Sequence, residues 1–292
     1  MRILLFGKYG QLGWELQRTL ASLGTVIAID FPEVDFKKPN SLSPIVDETD
    51  PDLIINAIAY TDVDKAESEP DSARLVNATS VGILAEEARH RKKSFIHYST
   101  DYVFDGNTDT PYAEDGNPHP INIYGQTKLE GEQATTQVGG AYLIFRTSWV
   151  YSLRQGGFVN KVLQWSRTKN EARIVDDQVG SPTWARMLAE VTAQIIAQSK
   201  GDPFGYIAEY TGLYHLAGAG AATRYEWATK ILEYDPDRSE RVVQQLHPAK
   251  STDFPTVAKR PSYSALTCLK LERSFRLVIP AWQQSLFLAL NR

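Results

Sequence analysis

The first 150 residues alternate short apolar runs with stretches of helical periodicity. Ile3-Leu4-Leu5-Phe6 and Leu53-Ile54-Ile55 are apolar at every position, the pattern of strands covered on both faces of a sheet. Strands are expected over 2–6, 26–29, 53–57, 94–99 and 141–146, with helices over 12–23, 42–49, 73–90 and 124–135 between them. Strand and helix in regular alternation mean βαβ units, hence an α/β fold with a doubly wound parallel Rossmann sheet.

After Trp149 the rhythm loosens. Helices are expected over 158–168, 185–198, 225–232 and 280–290, with short strands over 173–175 and 213–216. Loops carry Gly180-Ser181-Pro182, Asp202-Pro203-Phe204-Gly205 and Lys259-Arg260-Pro261. At ~150 residues per domain, 292 residues suggest two domains. The expected division is a dinucleotide-binding half over 1–150 and a smaller α/β half over 151–292, mainly for substrate, whose strands near 173–175 and 213–216 can return to the first half.

Composition narrows the classes. Lys and Arg number 31 against 35 Asp and Glu, a formal charge of −4, which argues against a protein that coats nucleic acid or anionic lipid. Cys268 is the single cysteine, so no internal disulfide can form. The five histidines are scattered, with no pair at metal-ligand spacing. No apolar run approaches the ~20 residues needed to span a bilayer, and the first six residues read as a buried strand rather than a signal peptide. The expectation is a cytosolic, cytoplasmic protein with no nucleic-acid or membrane partner.

The candidate chemistry begins at Gly7-Lys8-Tyr9-Gly10-Gln11-Leu12-Gly13. Glycines between a first strand and a first helix let the backbone approach a pyrophosphate at the helix N-terminus. Asp30 follows Gly13 by 17 positions and ends the second expected strand. A carboxylate there accepts hydrogen bonds from a ribose and repels a 2′-phosphate. Lys8 pulls the other way, since an ammonium in the loop can reach that phosphate, so NADH and NADPH both stay open.

Of the 14 tyrosines, only Tyr124 has a lysine four residues on, Lys128. Positions i and i+4 share one helix face, and an ammonium beside a phenol favours phenolate and lowers its pKa. Upstream, the run Phe95 to Ser99 is a strand whose C-terminal edge places Thr100 and Asp101 in the cleft where open α/β sheets bind ligands. A hydrolase triad of His97, Ser99 and Asp101 is disfavoured, because alternation puts all three on one strand face whereas triad members converge from different elements. His97 reads as a satisfied core histidine.

Taken together, Gly7-x-x-Gly10-x-x-Gly13, the stretch Ser99-Thr100-Asp101-Tyr102-Val103-Phe104-Asp105-Gly106 and Tyr124-x-x-x-Lys128 resemble the extended short-chain dehydrogenase/reductases. Four further stretches resemble the dTDP-4-dehydrorhamnose reductase family within them: Asp62-Val63-Asp64-Lys65-Ala66-Glu67, Arg146-Thr147-Ser148-Trp149-Val150-Tyr151, Asp177-Gln178-Val179-Gly180-Ser181-Pro182-Thr183 and Arg260-Pro261. The likeness runs essentially the length of the chain.

The resemblance implies an NAD(P)H-dependent oxidoreductase that reduces the C4 ketone of a dTDP-4-dehydro-6-deoxy sugar. Gly10, Gln11 and Leu12 would cradle the cofactor pyrophosphate, and Asp30 would hold the ribose. Asp35 and Phe36 would lie near the adenine, with Ala59, Tyr60 and Thr61 on the nicotinamide side. Tyr124 would protonate the ketone oxygen, Thr100 would polarise it, and Lys128 would hold the nicotinamide ribose and keep the tyrosine pKa low. Thr100 and Asp101 would touch the sugar, Trp149 would pack on the substrate and Arg260 would face its diphosphate. Some relatives are magnesium-dependent dimers with interface glutamates. Glu15 is present here, but Arg186 stands where a partner carboxylate would be, so no specific metal is expected and a homodimer stays open.

Three rivals follow from the same resemblance. Dehydratases of the superfamily carry Asp-Glu after the threonine, whereas Asp101 here precedes Tyr102; epimerases are excluded less firmly. A non-catalytic nucleotide-binding regulator of similar fold need not keep Thr100, Tyr124 and Lys128 together, and this chain keeps all three.

Overall fold

The computed structural model describes residues 1–154 and 156–291. Its centre is a six-stranded sheet. Strands β1 (Arg2–Phe6), β2 (Thr25–Ile29), β3 (Leu53–Asn56), β4 (Ser94–Thr100) and β5 (Tyr142–Thr147) pair in parallel with a sixth, Gly212–His215. Across the sheet they run β2, β1, β3, β4, β5 and Gly212–His215. The order reverses between β1 and β3, the switch point where open α/β sheets bind ligands at their C-terminal edges.

Both faces are covered, as the all-apolar strands require. Ile3, Leu5, Leu53 and Leu143 pack into one core with Leu188 and Ile195 of the helix Ala185–Ala197. Leu4, Phe6, Ile54 and Ile144 pack into another with Val46, Val81 and Leu84. The helices α1 (Gln11–Thr19) and α2 (Leu42–Thr49) thus lie on opposite faces, Leu16 joining the first core and Leu42 and Val46 the second. A third core gathers Tyr151, Val159, Trp227, Ile231 and Leu286 under the helices Phe158–Thr168, Arg224–Tyr234 and Trp282–Leu290.

Two departures from the sequence pattern matter for the site. The stretch expected as one helix over 73–90 starts at Pro70 and carries a π-helical turn, Leu75–Thr79. In that turn Asn77 Oδ1 accepts from the Tyr60 N–H at 2.8 Å and its Nδ2 donates to Thr127 at 3.1 Å, fixing the loop after β3 to the helix Ile123–Val138. The strand Glu171–Val175 stays out of the main sheet and pairs in parallel with Gln245–Ala249. Among the described residues no helix is long and apolar enough to cross a membrane.

Candidate active site

The strand ends enclose a cavity of about 500 Å³, within the range of small-molecule and cofactor sites. Its floor follows the sheet: Gly7 after β1, Asp30 after β2, Ala57 after β3, Thr100 at the end of β4 and Thr147 at the end of β5. Gly7 turns the chain at φ +98°, a conformation only glycine adopts without strain. A Cβ on Gly13 would lie 1.9 Å from the Gly7 carbonyl oxygen, so α1 can rest on its own turn only with glycine there. Gly10 caps α1 without a side chain, leaving the first-turn N–H groups with no intrahelical acceptor. Gln11 and Leu12 line the cavity, and Gln11 Oε1 is buried with no hydrogen-bond partner among the described residues. The free N–H groups make this end of the cavity positive, and the glycines leave room for a dinucleotide pyrophosphate.

Opposite it stand Thr100, Asp101, Tyr124 and Lys128, all lining the cavity. Local hydrogen bonds set their positions. Asn122 caps the helix Ile123–Val138 by accepting from Gly125 N–H at 2.8 Å. Glu67 Oε1 accepts from the Ile123 N–H at 2.9 Å. Gly125 lets this helix touch the strand end, since a Cβ would lie 2.1 Å from the Tyr102 carbonyl oxygen. The Tyr124 hydroxyl lies close enough to the Thr100 side chain for the two to interact. Thr100 Oγ1 donates to Asp101 Oδ1 at 3.1 Å, and Ser148 and Ser264 donate to Asp101 Oδ2 at 2.8 and 2.5 Å. Burial pushes the Asp101 carboxyl above its ordinary range, against the pull of these three hydroxyls.

Tyr124 departs from the sequence expectation. Burial pushes its hydroxyl well above the ordinary phenol range, only partly offset by the Thr100 side chain. Lys128 is engaged elsewhere: its Nζ donates to the Tyr98 carbonyl oxygen at 2.6 Å and lies 3.2 Å from His97 Nε2. The same burial brings the Lys128 amine down to about 7, with Glu132 one turn on pulling it up. His97 is fully buried and its protonation is suppressed by burial and by Lys128. His97, Ser99 and Asp101 form no triad and have separate partners, Lys128, Glu132 and the surrounding hydroxyls respectively.

Trp149 closes the far wall. Its φ is +43°, and Gly180 makes room for its ring, where a Cβ would come within 2.4 Å. This explains the glycine of the 177–183 motif. Over the ring at 3.6 Å lies the guanidinium of Arg224, the first residue of the helix Arg224–Tyr234. Desolvation lowers the affinity of Arg224 for a proton, partly offset by its interactions with Tyr102 and Asp101. No carboxylate forms an ion pair with it among the described residues. Nothing in the sequence singled it out, because an arginine opening a helix is commonplace.

Arg260 is the counterpart. Its Nη1 and Nη2 donate to the two carboxylate oxygens of Asp64 at 2.7 and 2.6 Å, and Nη1 also to the Ala258 carbonyl at 2.6 Å. It does not line the cavity. The pairing joins two motifs read separately in the sequence, and it holds the Asp64 carboxyl at about 2. Asp35, Phe36 and Tyr60 also stand outside the cavity wall. Phe36 is buried edge-on against Phe6, with ring centres 5.3 Å apart. Asp35 caps its own turn through the Lys37 N–H at 2.9 Å, and the Tyr60 hydroxyl donates to Glu69 at 2.9 Å. Ala59 and Thr61, flanking Tyr60, do line it. Arg186 bridges Glu190 at 2.6 Å and Glu15 at 3.5 Å.

Residues 1–292 match the family described as RmlD substrate binding domain. The chain is 43% identical over 296 residues to a dTDP-4-dehydrorhamnose reductase of Escherichia coli (strain K12), covering 100% of this chain and 97% of that protein. Among solved structures, it is similar to a dTDP-4-dehydrorhamnose reductase of Clostridium acetobutylicum with TM-score 0.90 and 32% identity, covering 100% and 99% of the two chains. Another, from Bacillus anthracis in complex with NADP, gives TM-score 0.89 and 32% identity over 99% and 98%. On this evidence, laid over a Rossmann cavity holding Thr100, Tyr124 and Lys128, the chain belongs to the dTDP-4-dehydrorhamnose reductase family.

Proposed function

We propose that this chain reduces the C4 ketone of dTDP-4-dehydro-L-rhamnose to give dTDP-L-rhamnose, the last step in making that sugar nucleotide. The observation that carries the reading is the convergence of Thr100, Tyr124 and Lys128 on the cavity that the glycine turn and the start of α1 also line. NADPH or NADH, when bound, supplies the hydride for the carbonyl carbon. The protein's part is the proton and the geometry. Burial keeps Tyr124 a phenol, the form a reduction needs, and its proton goes to the ketone oxygen as the C–H bond forms. Thr100 stands beside that oxygen's position, held by Asp101. Lys128 holds the nicotinamide ribose, with Tyr98 and His97 fixing its amine. Gly10, Gln11, Leu12 and Asp30 hold the pyrophosphate and adenosine ribose.

On the substrate side, Trp149 packs on the sugar nucleotide and Arg224 meets its diphosphate. A half-buried guanidinium with no ion-paired carboxylate among the described residues is poorly compensated, and an anionic ligand would compensate it. Arg260, already neutralised by Asp64, acts instead as a tie between the two halves of the chain. The division at about residue 150 is functional in this reading, cofactor before it and substrate mainly after.

The test is product analysis. The purified protein, given dTDP-4-dehydro-L-rhamnose and NADH or NADPH, is expected to yield dTDP-L-rhamnose. Formation of the C4 epimer, or return of unreduced substrate, would contradict the reading.

A further inference from the structure

The loops after β1 and β2 meet in a small charged cluster beside the ribose end of the cavity. Lys8, inside the glycine turn, donates to Glu33 Oε1 at 2.7 Å. Glu33 Oε2 accepts from the Asp30 N–H at 3.2 Å. Asp30 Oδ2 accepts in turn from the Tyr9 N–H at 3.0 Å, closing the ring back onto the turn. The lysine side chain is 15% exposed and the glutamate 49%. Lys8 is the cation that the sequence offers to a 2′-phosphate, and Glu33 occupies it.

We infer that Glu33 is a specificity-determining residue that favours NADH over NADPH by holding Lys8 in an ion pair at the place where a 2′-phosphate would need it. The inference rests on the reductase reading and deepens it. A 2′-hydroxyl at the end of β2 meets Asp30 as an acceptor and leaves the Lys8–Glu33 pair intact. A 2′-phosphate there meets two carboxylates, Asp30 and Glu33, and must take Lys8 from the latter. The pair raises the Lys8 pKa, chiefly through the Glu33 hydrogen bond, so the lysine stays charged and would serve a phosphate once released. Glutamine at position 33 keeps the acceptor for the Asp30 N–H and the shape of the turn while removing the charge.

The test is a double-mutant cycle on binding over Glu33→Gln, Lys8→Ala and the two combined, with NADH and NADPH titrated separately against the full-length protein by fluorescence. The wild type is expected to bind NADH more tightly than NADPH. Glu33→Gln should tighten NADPH by about tenfold, the order of one charge-assisted hydrogen bond, while NADH changes by less than about threefold. Lys8→Ala in the Glu33→Gln background should abolish that gain, because the gain runs through the lysine. A wild type that prefers NADPH overturns the inference. So does a Glu33→Gln protein whose NADPH-to-NADH affinity ratio is unchanged, or a gain that survives Lys8→Ala. If neither nucleotide binds the wild type, the reductase reading fails and the inference with it; if both bind, the ratio alone decides.

Discussion

The guanidinium of Arg260 grips both carboxylate oxygens of Asp64, at 2.7 and 2.6 Å. Bidentate geometry makes this a directional tie, linking the segment before Pro261 to the helix Val63–Ser68 across 196 positions of sequence. The Asp64 side chain is 39% exposed, so solvent screens the pair. Arg260→Ala should therefore cost roughly 1 kcal/mol of stability and leave the affinity for dTDP nearly unchanged. Arg224→Ala should weaken dTDP binding by roughly tenfold or more, the order of one charged hydrogen bond. Calorimetric titration of dTDP into both variants, beside their thermal melts, checks the pair. The reverse ranking would return the diphosphate to Arg260.

Tyr124→Phe removes the proton donor and keeps the ring that packs edge-on to Tyr102, with centres 5.8 Å apart. kcat is expected to fall by ~10²–10⁴-fold, the usual worth of a positioned acid. NAD(P)H binding should survive. Near-normal turnover would remove Tyr124 from the chemistry.

Asp101→Asn probes the hub behind Thr100. The carboxylate accepts from three hydroxyls, and an amide must turn its NH₂ toward one side of that set. The Thr100 hydroxyl then loses its fixed direction. kcat should fall by roughly tenfold to a hundredfold, as for a sub-ångström misplacement, with cofactor affinity retained. Unchanged kcat with lowered stability would make Asp101 a structural residue only.

Lys128 gives a pH signature. Burial brings its amine down to about 7 in the folded chain, from an ordinary value of about 10.5. Between those two values the unfolded chain holds a proton that the native state lacks, so raising the pH favours folding. Below pH 7 both states are protonated and the group adds no slope. In the cofactor-free protein, the stability of the wild type relative to Lys128→Met should rise from pH 7 towards pH 10. Parallel stability curves would show that the amine titrates normally.

The main-sheet strands were legible because burial on both faces leaves an apolar run, and β1 and β3 read as such almost to the residue. The glycine turn and the Tyr124–Lys128 spacing were legible because each is local. The features that the sequence does not display depend on distant partners. Arg224 is marked by Trp149, Phe158 and Tyr102, which other elements bring to it. The Lys128 amine could be placed on a helix face, but its bonds to Tyr98 and His97 arise from β4. The strand Gln245–Ala249 contains Pro248 and His247 and lacks alternation, so only its pairing with Glu171–Val175 reveals it. The helices Val63–Ser68, Pro203–Glu209 and Leu269–Phe275 are too short for periodicity to register.

The most direct test of the central claim follows nicotinamide absorbance in a mixture of wild-type protein, NADH or NADPH, and dTDP-4-dehydro-L-rhamnose. The expected result is loss of reduced nicotinamide that requires the keto sugar, mole for mole with dTDP-L-rhamnose formed, and that Tyr124→Phe nearly abolishes. Tight nicotinamide binding with no keto-sugar-dependent oxidation would contradict it.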